Sequence, residues 1–235
     1  MNWYQVIFYQ PVLNLLIYVY DTIALHSLGF AIILVTILIR VVLFPFFHRG
    51  AKQQMLMQRI QPHVKKIQET HKDDIQKQSA ALMALYKEHG INPFSSFLLL
   101  IIQIPIMIAL YWAVRSGLGT GHITGLYSFV PVPSGINTVF LGIVNLANPS
   151  LILLLVAAAA QYAQARLAIY KPPQGHVLSP AERMARQMSF IGPLITLVIF
   201  YSLPAAVALY WITTSVFASI QQVFVNRTLR EKYGS

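Results

Sequence analysis

The feature that most constrains this chain is the alternation of long apolar blocks with short segments holding nearly all of its basic residues. A helix that crosses a bilayer needs about 20 largely apolar residues, with a range of about 17 to 25. Apolar blocks run over 28–47, 94–114, 151–169 and 188–225. The last is too long for one helix across a core of roughly 30 Å, and Leu203-Pro204 lies inside it, where proline removes a backbone donor and disfavours helix at the residue before it. It reads as two spans joined by a tight turn. Only 10% of the residues are Asp, Glu, Lys or Arg and 56% are hydrophobic, against roughly 25% charged in soluble domains. A water-soluble globule is excluded, and an all-α membrane protein with five transmembrane helices is expected.

The charges orient those helices. Of seventeen Lys and Arg, eight lie in 49–92, four in 166–187 and three after residue 225, so the positive-inside rule makes these segments cytoplasmic. Five spans then put the N-terminus and the loop after the second span outside, where Arg115 at a membrane edge is the one basic residue. The expected organisation is an extracytoplasmic interfacial amphipathic segment over 1–27, a first span over 28–48, a cytoplasmic helical hairpin over 49–92 and a second span over 93–115. An extracytoplasmic loop over 116–149, a third span over 150–169, a cytoplasmic loop over 170–187, spans over 188–203 and 204–224, and a cytoplasmic tail over 225–235 follow. The fourth span is short, which implies local thinning of the bilayer. The net charge of +10 makes anionic lipid, and no specific nucleic acid, the expected electrostatic partner.

Residues 1–27 have no basic n-region and no small-residue cleavage site, so they are expected to stay on the mature protein. Trp3, Tyr4, Phe8, Tyr9, Tyr18 and Tyr20, interspersed with Gln5, Gln10, Asn14 and Asp21, suit a helix lying in the interface and broken at Pro11. A sixth, polar-interrupted span is the alternative. The glycines and prolines of 116–149 read as turns and short interfacial pieces. In the hairpin, Leu56, Ile60, Val64 and Ile67, then Ile75, Leu82 and Tyr86, recur at helical spacing, with His71-Lys72-Asp73-Asp74 as the break and an Asp available to cap the second helix. Met55, Met57, Arg59, Lys65 and Lys66 are its candidate contact residues, because methionines adapt to varied apolar surfaces. A solvated hairpin with no partner is the plainer reading. Asn92-Pro93 has the composition of a helix start.

Arg40 is the sharpest feature, standing inside the first span in Ile-Leu-Ile-Arg-Val-Val-Leu-Phe-Pro, roughly 10 Å from the end by helical rise. An arginine at a span centre costs about 2.5 to 3.5 kcal/mol on insertion scales, so such a residue faces a bundle interior or a wet cavity. Snorkelling to the cytoplasmic headgroups is the other outcome its length allows. No acidic residue and no well-buried histidine lies in a span. Arg40 must then be solvated by water and neutral polar groups, with Thr36, Gln103, Gln161, Gln164, Ser202, Thr213, Thr214 and Ser215 as candidates. Such a pocket suits a passing anionic or polar segment and does not suit proton-coupled transport, which uses intramembrane carboxylates or histidines.

Other chemistry is excluded more briefly. There is no cysteine, hence no disulfide, thiolate nucleophile or zinc-thiolate site. A phosphate-binding Gly-x-x-x-x-Gly-Lys-Ser/Thr loop, a His-Glu-x-x-His pair and a Gly-x-Ser-x-Gly elbow are all missing. His63, Glu69, His71 and Asp73 read as a solvated turn rather than a metal site. No cofactor is expected, and the chain is not expected to be an enzyme.

Four stretches together resemble the YidC family of membrane protein insertases, which includes the mitochondrial Oxa-type and chloroplast Albino-type proteins. They are Thr36-Ile-Leu-Ile-Arg40-Val-Val-Leu-Phe-Pro45; Met83-Ala-Leu-Tyr86-Lys-Glu-His-Gly-Ile-Asn92-Pro93; Gln103-Ile-Pro105-Ile-Met-Ile-Ala-Leu-Tyr111; and Leu203-Pro204 with Leu209-Tyr210-Trp211 and Gln221-Gln222. The resemblance implies five helices around a hydrophilic groove open to the cytoplasm and to lipid, with Arg40 inside it. Family positions that touch the incoming chain fall on Thr36, Ile104, Met107 and Trp211, while Gln103, Gln161 and Gln164 line the same groove. It further implies a short form without the large extracytoplasmic domain, whose short basic tail puts direct ribosome docking in doubt. The implied location is the bacterial plasma (inner) membrane, with the N-terminus outside and the C-terminus cytoplasmic. The partners implied are nascent membrane proteins and lipid, then the ribosome, the signal recognition particle receptor and a Sec translocon. The rival readings are an accessory folding chaperone of a Sec-type translocon and a small-anion channel or transporter.

Overall fold

A computed structural model describes residues 4–119, 125–133, 135–169 and 180–233. Trp3, Gly121, Lys171 and most of the 170–187 loop lie outside the described residues, as do the side chains of Glu182, Arg186, Arg230 and Lys232. The described chain is helical apart from one small hairpin of strands.

A π-helical turn, Gln5–Tyr9, runs directly into α1, Gln10–Thr22. The expected break at Pro11 is therefore a change of helix type: the helix runs on through proline, which lacks the N–H that would bond the preceding turn, and that preceding turn is wound as a π-helix. One face of α1 enters the central core through Leu13, Leu16, Ile17 and Tyr20, while Val6, Ile7 and Tyr18 stay exposed. Asn14 is buried because the 125–127 loop satisfies it. Its Nδ2 donates to the Gly125 carbonyl at 3.0 Å, and its Oδ1 accepts from the Tyr127 N–H at 2.6 Å.

Helix α2, Leu28–Val42, and helix α3, Phe44–Arg59, meet at Leu43 with a bend of 71°. The region expected as one span over 28–48 thus changes direction before its end. Pro45 is the cause, since it cannot donate to the carbonyl of residue 41 and its ring crowds that turn. Helix α4, Gln61–Thr70, and α5, Ile75–Glu88, form the hairpin proper. Its own small core joins Ile60, Val64, Leu85 and Ile91 to Leu56, Met57, Ile67, Leu82 and Tyr86, whereas Ile75 is exposed. Asp74 caps α5 by accepting from the Lys77 N–H at 3.0 Å.

Helix α6, Ser95–Gly119, starts past the Asn92-Pro93 pair, whose Asn92 Oδ1 accepts from the Phe94 N–H at 2.9 Å. Strands β1, Val139–Phe140, and β2, Val144–Asn145, pair antiparallel. Their flanks close one end of the bundle: the Leu28 N–H donates to the Asn137 carbonyl, the Ala205 N–H to Asn148 and the Ala206 N–H to Leu146. The orphan donors at the starts of α2 and α9 are thereby satisfied. Helix α7, Leu151–Leu167, α8, Pro180–Phe200, and α9, Ala205–Tyr233, complete the fold. α9 packs on α7, α2, α3 and α6. Between α8 and α9 the chain turns at 201–204.

Among the described residues, one helix, Ala205–Leu229, is long and apolar enough by itself to cross a bilayer, and α2 with α3 qualifies as a bent pair. Ile101–Arg115, Leu151–Leu167 and Ser189–Phe200 are shorter apolar helices.

Candidate functional site

The bend at Leu43 builds the site. In a straight helix residues 40 and 47 would stand roughly 10 Å apart along the axis. Turning α3 across the end of α2 instead brings the Arg40 guanidinium carbon to 4.0 Å from the centre of the Phe47 ring, a cation–π contact. Arg40 is 7% exposed, so it does not snorkel. Its Nη2 donates to Gln103 Oε1 at 3.2 Å, and Gln103 Nε2 in turn donates to the Tyr210 hydroxyl. This chain ties α2, α6 and α9 together through one charge and two neutral groups. Among the described residues no carboxylate pairs with Arg40: the ion pairs are His26–Asp21, Lys65–Glu69 and Lys77–Asp74.

Arg40 faces a cavity of about 450 Å³ whose polar lining comes from Gln54, Gln103, Gln161, Gln164, Thr214, Ser215, Gln221 and Gln222, with Phe47, Leu99 and Trp211 as apolar walls. Neighbours fix several of these amides in place. Gln161 accepts from the Thr196 hydroxyl, and Gln221 Nε2 donates to the Phe44 carbonyl at 3.1 Å. At the cavity's end, the last carbonyls of α7 are capped from two other helices: Asn226 donates to Leu167 and Gln58 to Ala168, both at 3.0 Å. A cavity with one permanent positive charge and otherwise neutral donors and acceptors can hold water or a polar segment and attracts an anion.

Arg40, Gln103, Gln161, Gln164 and Trp211 therefore meet in one cavity. Thr36 does not join them, since its hydroxyl is spent on the Ile32 carbonyl of its own helix. Ile104 is exposed on the outside of α6, and Met107 packs between two apolar clusters. Ser202 lies exposed in the α8–α9 turn, and the Thr213 hydroxyl bonds back to Leu209. In the hairpin, Met55 is buried against Val225 and Leu229 of α9, so it is a structural anchor and no free contact surface. Met57 packs on the hairpin core, and Lys65 pairs with Glu69 at 3.5 Å, leaving Lys66 exposed. Arg59, also expected to make contacts, is the last residue of α3. Phe47 was not singled out from the sequence, and Tyr210 was named there only within the Leu209-Tyr210-Trp211 stretch, with no role in the site. Pro45, two residues before Phe47, is the signal that could have found the first.

The family model described as 60Kd inner membrane protein matches residues 18–232. The chain belongs to that family. Members of the 60Kd inner membrane protein family similar to it are named membrane protein insertase YidC. The one from Francisella philomiragia is 30% identical over 207 residues, covering 86% of this chain and 34% of that protein. The one from Cupriavidus pinatubonensis is 32% identical over 208 residues, 87% and 33% of the two chains. The Helicobacter pylori protein is 29% identical over 225 residues, 96% and 37%. The chain thus spans about a third of the length of the curated relatives it matches. Family membership makes it a bacterial inner membrane protein, and the matched region takes in α2 to α9 and the whole Arg40 cavity.

Proposed function

We infer that this chain inserts nascent hydrophobic segments into the membrane and carries their short polar flanks across through the Arg40 cavity. The observation that supports this most directly is a buried arginine with no carboxylate partner among the described residues, facing a cavity of about 450 Å³ lined by neutral amides and hydroxyls. In this reading α2 with the first turns of α3, then α6, α7, α8 and α9, are five spans. The hairpin, the loop before α8 and the end of α9 lie in the cytoplasm, and the N-terminus lies outside. The hairpin receives the client, with the ribosome, the signal recognition particle receptor and a Sec translocon as its partners.

The mechanism is binding and release, with no bond made or broken. A polar flank enters the cavity, where water and amides replace part of its hydration, so the barrier to crossing is shortened. Arg40 favours flanks that carry acidic residues. The apolar segment slides along the exposed faces of α2 and α9 into lipid, driven by about 25 cal/mol per Å² of apolar surface removed from water. For acidic flanks the membrane potential adds about 2.3 kcal/mol per charge per 100 mV.

The test is insertion of a small client with an acidic translocated tail into liposomes that hold this protein alone. Wild type and Arg40→Lys are expected to insert it, Arg40→Ala to fail, and deletion of 61–88, which leaves the Met55 anchor in place, to slow capture. No insertion by wild type without a translocon would make the protein an accessory folding chaperone. Full activity of Arg40→Ala would leave the arginine a structural role only.

A further inference from the structure

The β1–β2 hairpin is anchored at its base and bare at its tip. At the base, Leu146 is fully buried, Asn137 and the 146–148 backbone hold the starts of α2 and α9, and the Phe140 ring lies over Gly29 so closely that no Cβ fits there. At the tip, Leu141 is 64% and Ile143 77% exposed, with Phe129 and Val132 of the neighbouring loop exposed as well. The turn itself breaks a local rule. Leu141 and Gly142 both have positive φ, 52° and 72°, and the Ile143 N–H donates to the Phe140 carbonyl. That is the backbone of a tight hairpin turn in which Asn, Asp or Gly occupies the first position, and a bulky apolar residue there is strained. A strained leucine that also points its side chain into water would be doubly unfavourable.

Two further observations say what covers the tip. The whole stretch 116–149 contains no Asp, Glu, Lys or Arg, which is unlike a loop bathed in water. Strand β1 also lies beside the first turn of α2 and not beyond it, because Phe140 makes an edge-to-face contact with Phe30 at 5.5 Å between ring centres. Phe30 begins the exposed apolar stripe of α2 that continues through Leu34, Leu38 and Val41. The hairpin tip is therefore continuous with a face that lipid covers in an inner membrane protein.

We propose that Leu141 and Ile143 form a wedge inserted among the phospholipid acyl chains of the leaflet in which α2 begins. The wedge fixes that end of the bundle at a set depth while its base closes the end against water. It rests on α2 being a span, which belongs to the proposed function, so the experiment separates the two.

The chain has no cysteine, so single cysteines can carry an environment-sensitive fluorophore in otherwise native protein. Ile143→Cys and Leu141→Cys test the tip, Leu34→Cys tests α2, and Gln76→Cys on the exposed side of α5 gives a water reference. Each is reconstituted in phosphatidylethanolamine–phosphatidylglycerol vesicles containing nitroxide lipids labelled near or far from the headgroup. The tip probes are expected to emit to the blue of the Gln76 probe and to be quenched more by the shallow nitroxide than by the deep one, with iodide ineffective. Ile143→Asp is expected to abolish that quenching at position 141 while leaving the Leu34 probe in lipid. Tip probes quenched by iodide and not by lipid nitroxides, with the Leu34 probe in lipid, overturn the wedge alone. A blue-shifted tip that no nitroxide lipid quenches means a second protein surface covers it, which overturns a lipid occupant. A Leu34 probe outside lipid overturns both readings.

Discussion

Gln103 is the residue on which the site's electrostatics turn, because its amide bonds Arg40 and Tyr210 at once. Replacing it by Leu takes that partner from a buried charge and from a buried hydroxyl, and an unsatisfied buried group costs about 1 to 3 kcal/mol, more when it is charged; Thr214 remains beside the Tyr210 hydroxyl. Gln103→Leu is expected to lower thermal stability in detergent and to cut insertion of acidic-tailed clients, while Gln103→Asn keeps part of both. Phe47→Leu removes the cation–π contact, worth about 0.5 to 2 kcal/mol, and is expected to weaken insertion less than Arg40→Ala does. Gly29 is a second sensitive position. A methyl there meets the Phe140 ring, and forced overpacking costs about 1 to 3 kcal/mol. Gly29→Ala should depress the melting temperature, and combining it with Phe140→Val should recover part of the loss, because the two side chains compete for one volume.

At the level of elements, the α4–α5 hairpin and the bundle are separable pieces. The hairpin core shares no buried residue with the central cluster, and α3 is pinned independently by Met55 on Val225 and Leu229. Met55→Ala, at about 2 to 5 kcal/mol for a buried methionine, is therefore expected to destabilise the bundle more than excision of residues 61–88 does, read by thermal unfolding of the two variants side by side. Acid acts on the hairpin in a predictable direction. The Lys77 N–H holds the Asp74 carboxyl below the usual carboxylate range. Its folded-state affinity for protons is thus weaker than in the unfolded chain, so the cap's contribution is complete above the ordinary aspartate value and is lost as pH falls through the depressed one. Amide exchange at the start of α5 should accelerate over that acidic window, and Asp74→Asn should flatten the dependence. The hairpin was legible in the sequence because its periodicity and its polar break are local signals. The bend at Leu43 was not, because an apolar run gives no clue to direction. Pro45 marks where a helix yields but not by how much, and the 71° turn is set by what α3 packs on.

For the whole molecule, the apolar blocks and the charge asymmetry made the helical membrane class readable from composition, and Arg40 stood out because no acidic residue lies in an expected span. Which polar residues would join it was only partly readable. Gln161 and Gln164 point where α7 turns them, but Thr36 spends its hydroxyl locally and Met107 is absorbed into packing, outcomes that depend on helix rotation and not on residue type. Helix α7 has 17 residues, about 25 Å at 1.5 Å per residue, shorter than a hydrocarbon core of roughly 30 Å. Such mismatch costs fractions of a kcal/mol per Å. Insertion should therefore be faster in vesicles of shorter-chain lipids and fall as acyl length rises at fixed headgroup, while a protein indifferent to thickness would show a flat series.

The cavity's polar lining consists of amides, hydroxyls and one guanidinium, with no carboxylate, imidazole or ammonium among its described residues. A guanidinium keeps its proton throughout the physiological range, so acidification of the cell leaves the charge of the cavity's described lining unchanged. In the proposed function, what acidity changes at the cavity belongs to the cargo: a tail whose carboxylates are neutralised stops being attracted, while a tail without them crosses as before. In the proposed function the cavity then works as a fixed electrode, and each client carries its own titration curve to it.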